Sequence, residues 1–330
     1  MSILPWQYKN WDLLSEYRRQ DRVPQALLIV GNAGLGKLHL ANQFAFSLLC
    51  HQPKNNDLYC GHCHACLLLK AETHPDFIQL SPEEPGKAIV IDQVRHLLTR
   101  LTLKPQLDSY RAVIVSPAEL MNKSAANAFL KCLEEPPERT VIILITEKMT
   151  QLPATILSRC QKLAIYAPSK KTFFTWLTEQ NTNEIPNNND ALYNLTQGSP
   201  LLALDYVSNN TMVLRNECFN SWLNIAKLNQ HPIIVAEHWH KQSTALLLFW
   251  ITTWTIDIIK CYYQIKPDWL YNPDLKEPLQ AIALHIKINK LYQFYDLILI
   301  SRQQLNTQIN KHNMFEEILI NWLELNADRD

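Results

Sequence analysis

Gly31-Asn32-Ala33-Gly34-Leu35-Gly36-Lys37-Leu38 is the stretch that decides how this chain folds. A phosphate-binding loop reads Gly, four residues, Gly-Lys, then Ser or Thr. Its backbone N–H groups cradle the phosphates, the lysine reaches the outer ones, and the hydroxyl holds Mg²⁺. Here Gly31, Gly34, Gly36 and Lys37 are in place, but Leu38 stands at the hydroxyl position. The cradle is kept and a metal ligand is missing. Ala26-Leu27-Leu28-Ile29-Val30 comes before the loop as a buried strand should, and Leu38 to Leu49 follows with helical spacing.

The alternation of strands and helices continues on both sides of that loop. Trp6 to Arg22, with Trp11, Leu13, Leu14 and Tyr17 on a helical period, leads into the first strand. After an insertion from Cys50 to Lys70 come a short strand, Phe77 to Leu80, and a helix from Ile91 to Leu101 with an apolar stripe. Ala112 to Val115 reads as a third strand, followed by a helix from Ala125 to Glu135 that Pro136-Pro137 ends. Val141 to Ile145 is a fourth strand and Leu163 to Tyr166 a fifth. This order implies a parallel sheet with helices on both faces and ligands at the carboxyl ends of its strands. After Pro168 the strand-like runs stop. Residues 169–208 read as a small helical lid with a turn at Gly198-Ser199-Pro200, and the asparagine-rich segment 182–190 as an exposed loop inside it. From Thr211 to Leu325 the pattern is helical, its last helix carrying Ile318, Leu319, Trp322 and Leu325 on one face.

With 330 residues the chain has room for two or three domains. Lys+Arg and Asp+Glu are both 31, so no overall charge drives binding to DNA or acidic membranes. The start has no basic region followed by an apolar run, so a cytoplasmic location is expected. The most apolar window, Ala245 to Tyr263, is interrupted by Asp257 and Lys260 and diluted by three threonines, and is expected to be a buried helix instead of a membrane span.

A P-loop ATPase also needs carboxylates at the end of a neighbouring strand, one for Mg²⁺ and one to polarise the attacking water. The Ala112 to Val115 strand runs instead into Ser116-Pro117-Ala118-Glu119. Serine and proline stand where the carboxylates belong, and Glu119 fits a capping-box role in the next helical turn.

Of the eight cysteines, Cys132, Cys160, Cys218 and Cys261 are scattered and read as small buried hydrophobes. Cys50, Cys60, Cys63 and Cys66 are clustered, the last three two residues apart. Four thiolates on short loops suit tetrahedral Zn²⁺ in a closed structural site. An iron–sulfur cluster is the competitor, but Leu67-Leu68-Leu69-Lys70 lacks the further Cys-Pro of ferredoxin spacing. His51, His62 and His64 are spare ligands. A nucleic-acid-binding finger would need basic and aromatic neighbours; Lys54, Lys70 and Tyr59 stand against Asp57 and Glu72, which favours a structural knuckle or a protein contact. The tryptophans of the last third read as core and subunit-interface anchors.

Ser124-Ala125-Ala126-Asn127-Ala128-Phe129-Leu130-Lys131-Cys132-Leu133-Glu134-Glu135-Pro136-Pro137, Thr146 after the fourth strand, and Leu157-Ser158-Arg159-Cys160 together resemble the clamp-loader branch of the AAA+ ATPases. The resemblance runs in order from Pro5-Trp6 to Asn313 and the final apolar helix. It implies an α/β AAA+ P-loop domain over 1–167, with a five-stranded parallel sheet and helices on both faces, and a zinc module at 50–70. A helical lid over 168–209 and an all-α collar for oligomerisation over 210–330 would follow. The four clustered cysteines match that family's zinc ligands. In its motor subunits an arginine after the Gly-Ser turn senses nucleotide; Leu201 occupies that place here. With Leu38, Ser116, Pro117 and Leu201 altered together, Gly31, Gly34, Gly36 and Lys37 are a degenerate cradle, and neither bound ATP nor intrinsic ATP hydrolysis is expected.

Arg159, in the Ser-Arg-Cys triplet, matches the family's arginine finger, which acts on the ATP of an adjacent motor subunit. Its structural alternative is a helix-capping or locally paired arginine. The implied role is a non-motor stator, a non-catalytic subunit of a DNA polymerase assembly in the bacterial cytoplasm. Its partners would be motor subunits of the gamma/tau type and a delta subunit in a heteropentamer, and transiently the sliding clamp and primer-template DNA, with no membrane. The rivals are an active clamp-loader ATPase and a zinc-dependent DNA-binding protein.

Overall fold

The computed structural model describes residues 2–84, 86–107, 110–180, 189–306 and 310–327. Strands β1 (Ala26–Val30), β2 (Phe77–Leu80), β3 (Arg111–Val115), β4 (Thr140–Thr146) and β5 (Gln161–Ala164) form one parallel sheet in the order β2-β3-β4-β1-β5. Every residue of β3 and β4 is buried, which is why both read as continuous apolar runs. The two-residue period then divides their side chains between two cores. Leu28, Val113, Val115, Ile142 and Leu144 share one core with helices α4 (Ile91–Leu101) and α5 (Lys123–Glu134). Leu27, Ile29, Ile114, Val141 and Ile143 share the other with α1 (Tyr8–Arg19) and α2 (Lys37–Leu49). The expected sheet with helices on both faces is therefore present.

Most element boundaries shift by one to a few residues from the sequence reading, and two of the shifts have a clear cause. The N-terminal helix opens as a 3₁₀ turn, Pro5–Gln7, before α1. Strand β5 starts at Gln161, ahead of the apolar run at Leu163, because its first two side chains are exposed at the sheet edge and carry no hydrophobic signal. The ladder continues one step further, with Ile165 N donating to Val30 O at 2.8 Å.

The connections place the functional crevice. After β1 the chain crosses to the far edge, returns through β2, β3 and β4, and then passes β1 to add β5 on its other side. The direction of winding changes between β1 and β4, and in such sheets the crevice lies at the carboxyl ends of those strands. The loop at Gly31 follows β1 and so lies there.

The chain divides into two compact units, Met1–Trp176 with Ser199–Leu202, and Leu177–Gly198 with Ala203–Asp330. The first holds the sheet, with α3 (His64–Lys70) in the cysteine insertion and α6 (Ala154–Leu157) before β5. Helices α7 (Lys170–Glu179), α8 (Asn189–Leu195) and α9 (Pro200–Ser208) follow, with the expected turn between the last two. The asparagine-rich segment read as a loop lies outside the described residues as far as 188, and α8 begins at Asn189.

The second unit is built around α10 (Thr211–Ala226), α11 (Pro232–Trp239), α12 (Thr244–Tyr262), α13 (Lys276–Ala283), α14 (Ile288–Gln303) and α15 (Lys311–Ala327). Its centre is aromatic. Trp222 and Trp322 stack at 3.8 Å with their planes 11° apart, and Trp322 Nε1 donates to Trp222 O at 3.0 Å. The apolar window of the sequence is α12, the one helix among the described residues long and apolar enough to cross a membrane. Its Leu247, Leu248, Trp250, Ile251, Trp254 and Ile258 are buried, so the helix serves as core.

Candidate functional site

Two segments hold the loop after β1. Gly34 sits at φ +73° in the left-handed region, and a Cβ there would lie 2.6 Å from the Leu202 backbone N, so the position demands glycine for conformation and for space. Leu201 N donates to Gly34 O at 3.1 Å. From the other side, buried Gln7 donates through Nε2 to Leu35 O at 2.7 Å and Gly36 O at 2.8 Å, and Trp6 Nε1 donates to Leu35 O at 3.0 Å. The loop is thus held by side chains of the 3₁₀ turn and by the start of α9.

Lys37, in the first turn of α2, is 6% exposed. Its Nζ donates to Asn32 O at 2.7 Å and pairs with Glu147 Oε1 at 3.3 Å. Glu147 follows β4 directly, and its backbone N–H donates to Glu119 Oε1 at 3.0 Å. The cavity in front of the loop has a volume of about 300 Å³, and Leu38, Ser116, Pro117 and Leu201 all line it beside Gly34, Gly36 and Lys37. The structure therefore gathers at one place the four positions where the sequence departs from a working nucleotide site. Glu147 pairs with Lys37, and Glu119 accepts from the Glu147 backbone amide.

Glu119 corrects the sequence reading. It forms no capping box, because the segment after Pro117 is only a 3₁₀ turn, Ala118–Leu120, and α5 starts later at Lys123. Asn122 caps that helix instead, its Oδ1 accepting from Ala125 N at 2.8 Å. Glu119 is free to reach across to the end of β4.

Arg159 lies just past α6 and outside the cavity lining. One guanidinium nitrogen donates to Thr155 O at 2.9 Å and the other pairs with Glu134 Oε1 at 2.6 Å, at the end of α5. The Arg159 and Glu134 side chains are 35% and 48% exposed. Ser158 Oγ donates to Thr155 O at 3.1 Å, and Cys160 is buried in the core, where burial pushes its thiol up to about 11. Ser158 is thus tied to the local backbone and Cys160 packs in the core, as expected from its reading as a buried hydrophobe. Cys132 and Cys218 are buried likewise, with thiols pushed up to about 11 and about 12 by burial.

The clustered cysteines meet between two helices. Cys50 caps the end of α2, Cys63 precedes α3, and Cys66 lies in its first turn. The sulfurs of Cys50, Cys60, Cys63 and Cys66 all lie within 4.8 Å of one another, with Cys50–Cys63 at 3.9 Å and Cys60–Cys66 at 3.8 Å. Tetrahedral ligands about 2.3 Å from a Zn²⁺ ion would be about 3.8 Å apart, so this donor set fits the ion. Burial raises the Cys60 thiol, but the backbone N–H groups of His62 and Cys63 lower it, leaving it at about 6. His51, His62 and His64 are exposed and outside the sulfur cluster. Trp11 Nε1 donates to Asn56 O at 3.2 Å, and Asp57 accepts from Arg19 at 2.5 Å, so the insertion is fastened to α1.

Comparison with known proteins decides the family. The family described as DNA polymerase III, delta subunit, matches residues 6–169, and its C-terminal counterpart matches residues 210–324. The DNA polymerase III subunit delta' of Pseudomonas aeruginosa is 33% identical over 98% of this chain and 98% of its own length. The chain belongs to the DNA polymerase III delta' family. The Escherichia coli delta' subunit is 30% identical over 97% of this chain and 95% of its own. Among solved structures, a gamma subunit-related protein of DNA polymerase III from Thermotoga maritima shares the fold, with a TM-score of 0.52 at 18% identity over 95% of this chain and 99% of that one.

Within this delta' fold several residues around the sites carry no signal in the sequence. Gln7 and Trp6 hold the loop from 28 and 29 residues away, a separation that no local pattern announces. Glu147 had one available cue: it follows Thr146 at the end of a strand next to β1, where a side chain must face the crevice. Glu134 is part of the Glu-Glu-Pro-Pro helix end, and only the fold brings it to Arg159.

Proposed function

We propose that the chain is the non-motor stator of the DNA polymerase III clamp loader and supplies Arg159 in trans to the ATP of a neighbouring motor subunit. The observation that carries this reading is the gathering of Leu38, Ser116, Pro117 and Leu201 in one cavity. Mg²⁺ has no hydroxyl from the loop and no carboxylate from β3, and the sensing arginine is absent. The cradle of Gly31, Gly34, Gly36 and Lys37 then binds no ATP in this chain, and the chain hydrolyses none. Arg159 keeps its charge at the surface, held by contacts weak enough to exchange for a phosphate.

In this reading residues 1–167 are the AAA+ domain, 168–209 the lid and 210–330 the collar. Cys50, Cys60, Cys63 and Cys66 hold a structural Zn²⁺ that fixes the turns of the insertion. The partners are gamma/tau-type motor subunits and the delta subunit in a heteropentamer, with the sliding clamp and primer-template DNA met transiently in the bacterial cytoplasm. Titrating the isolated chain with Mg²⁺-ATP by calorimetry should give no binding heat. Reconstituting it with its motor and delta subunits should give ATP-dependent clamp loading that the motors alone do not reach. Turnover of ATP by the isolated chain at motor-like rates would refute the stator assignment.

A further inference from the structure

We propose that Glu147 is the built-in anion of the phosphate cradle: its carboxylate occupies Lys37 and keeps diphosphates out. This rests on the reading of the cradle as free of nucleotide and names the residue responsible. The loss of Leu38's hydroxyl counterpart and of the β3 carboxylates removes Mg²⁺ chemistry, but it leaves the loop amides and Lys37, which by themselves suit an anion. A second cause is therefore needed for an empty cradle.

Lys37 provides it. At 6% exposure its ammonium requires compensation from the protein, and it receives Asn32 O at 2.7 Å and Glu147 Oε1 at 3.3 Å. The Glu147 side chain is 45% exposed, but its backbone is placed at the loop by the sheet. The register pairs Thr146 with Val30, and Gly31 N donates to Thr146 O at 3.4 Å, so the next residue is delivered to the loop by the sheet itself. Glu119 then fixes the Glu147 backbone by accepting its N–H at 3.0 Å. Both Lys37 and Glu147 line the same cavity as Leu38 and Leu201. A diphosphate reaching for Lys37 would enter beside that carboxylate and meet like charge at close range, where repulsion is strong.

The test is calorimetric titration of the full chain with inorganic pyrophosphate, in chelator to remove metal and at low salt. Glu147→Gln should bind pyrophosphate on the order of tenfold or more tightly than the unaltered chain, because a charge facing the anion is gone while the shape is kept. Glu147→Ala should show the same gain, which covers the case where the glutamine amide itself fills the cradle. Adding Lys37→Ala to either variant should abolish it. If neither the unaltered chain nor either Glu147 variant binds pyrophosphate measurably, the proposal is overturned while the nucleotide-free reading stands. If the unaltered chain itself binds pyrophosphate measurably and no more weakly than the variants, both are overturned.

Discussion

Replacing Arg159 by alanine should separate stability from activity by a wide margin. In the folded chain the side chain has an ion pair to Glu134 at 2.6 Å and a hydrogen bond to Thr155 O at 2.9 Å, with the pair 35% and 48% exposed. Exposed pairs of this kind contribute about 0.2–1 kcal/mol, so Arg159→Ala should lower stability by no more than about 1 kcal/mol and the melting temperature by about 2–4 °C. An arginine finger is worth roughly a thousandfold or more at the site it serves, or about 4 kcal/mol of transition-state stabilisation. The assay is single-turnover ATP hydrolysis in the reconstituted complex, read together with clamp loading on primed DNA. Single turnover reads the hydrolysis step itself, which the arginine is proposed to accelerate, instead of product release. Arg159→Lys should recover little, since an ammonium lacks the planar fork. Glu134→Gln removes the ion pair but keeps the guanidinium, and should leave hydrolysis intact. If Arg159→Ala assembles normally and neither hydrolysis nor loading falls, the finger assignment is wrong. If Glu134→Gln is as damaging as Arg159→Ala, the arginine acts through its local ion pair and not in trans.

Three further outcomes follow from the geometry. The purified chain should carry one Zn²⁺ by elemental analysis, and stripping it with a strong chelator should expose the thiols of Cys50, Cys60, Cys63 and Cys66 to a thiol reagent and lower the melting temperature; a metal-free chain of unchanged stability would sink the zinc assignment. Asp76→Asn should destabilise the sheet unit by about 3–5 kcal/mol in urea, because Arg111, 4% exposed and 3.4 Å from that carboxylate, would be left buried without its counter-charge. Trp322→Ala should cost about 3–5 kcal/mol in the helical unit, since it opens a cavity against Trp222 and removes a buried donor; a loss under about 1 kcal/mol would contradict the packing described.

How much of this was legible in the sequence depended on the range of the interaction. Strands β3 and β4 were legible because burial on both faces leaves an unbroken apolar run, whereas the start of β5 was hidden by Gln161 and Lys162 at an exposed edge. The cysteine cluster was legible because its four cysteines are spaced by the turns that bring them together, and the departure at Leu38 because the loop's glycines are local. Asp76–Arg111 was not, since a pair separated by 35 residues leaves no periodicity to read. Glu119 was misread for a related reason: Ser-Pro before an acid looks like a helix start, but the turn ends after three residues and the acid is claimed by the end of β4.

The loop's glycines have a mechanical role in the structure besides any contact with a phosphate. Gly34 is packed against the Leu202 backbone, and the Leu35 and Gly36 carbonyls accept from Trp6 and Gln7, so the loop joins the N-terminal turn, β1 and the start of α9. Those contacts use the backbone shape of a phosphate loop without using a phosphate. Lys37 is likewise engaged within the chain, its ammonium paired with Glu147. Leu38 and Leu201 line the same cavity with apolar side chains. The glycines and Lys37 of the loop are therefore tied into the structure of the first unit, whereas Arg159 lies outside the cavity and presents an exposed charge held by surface contacts.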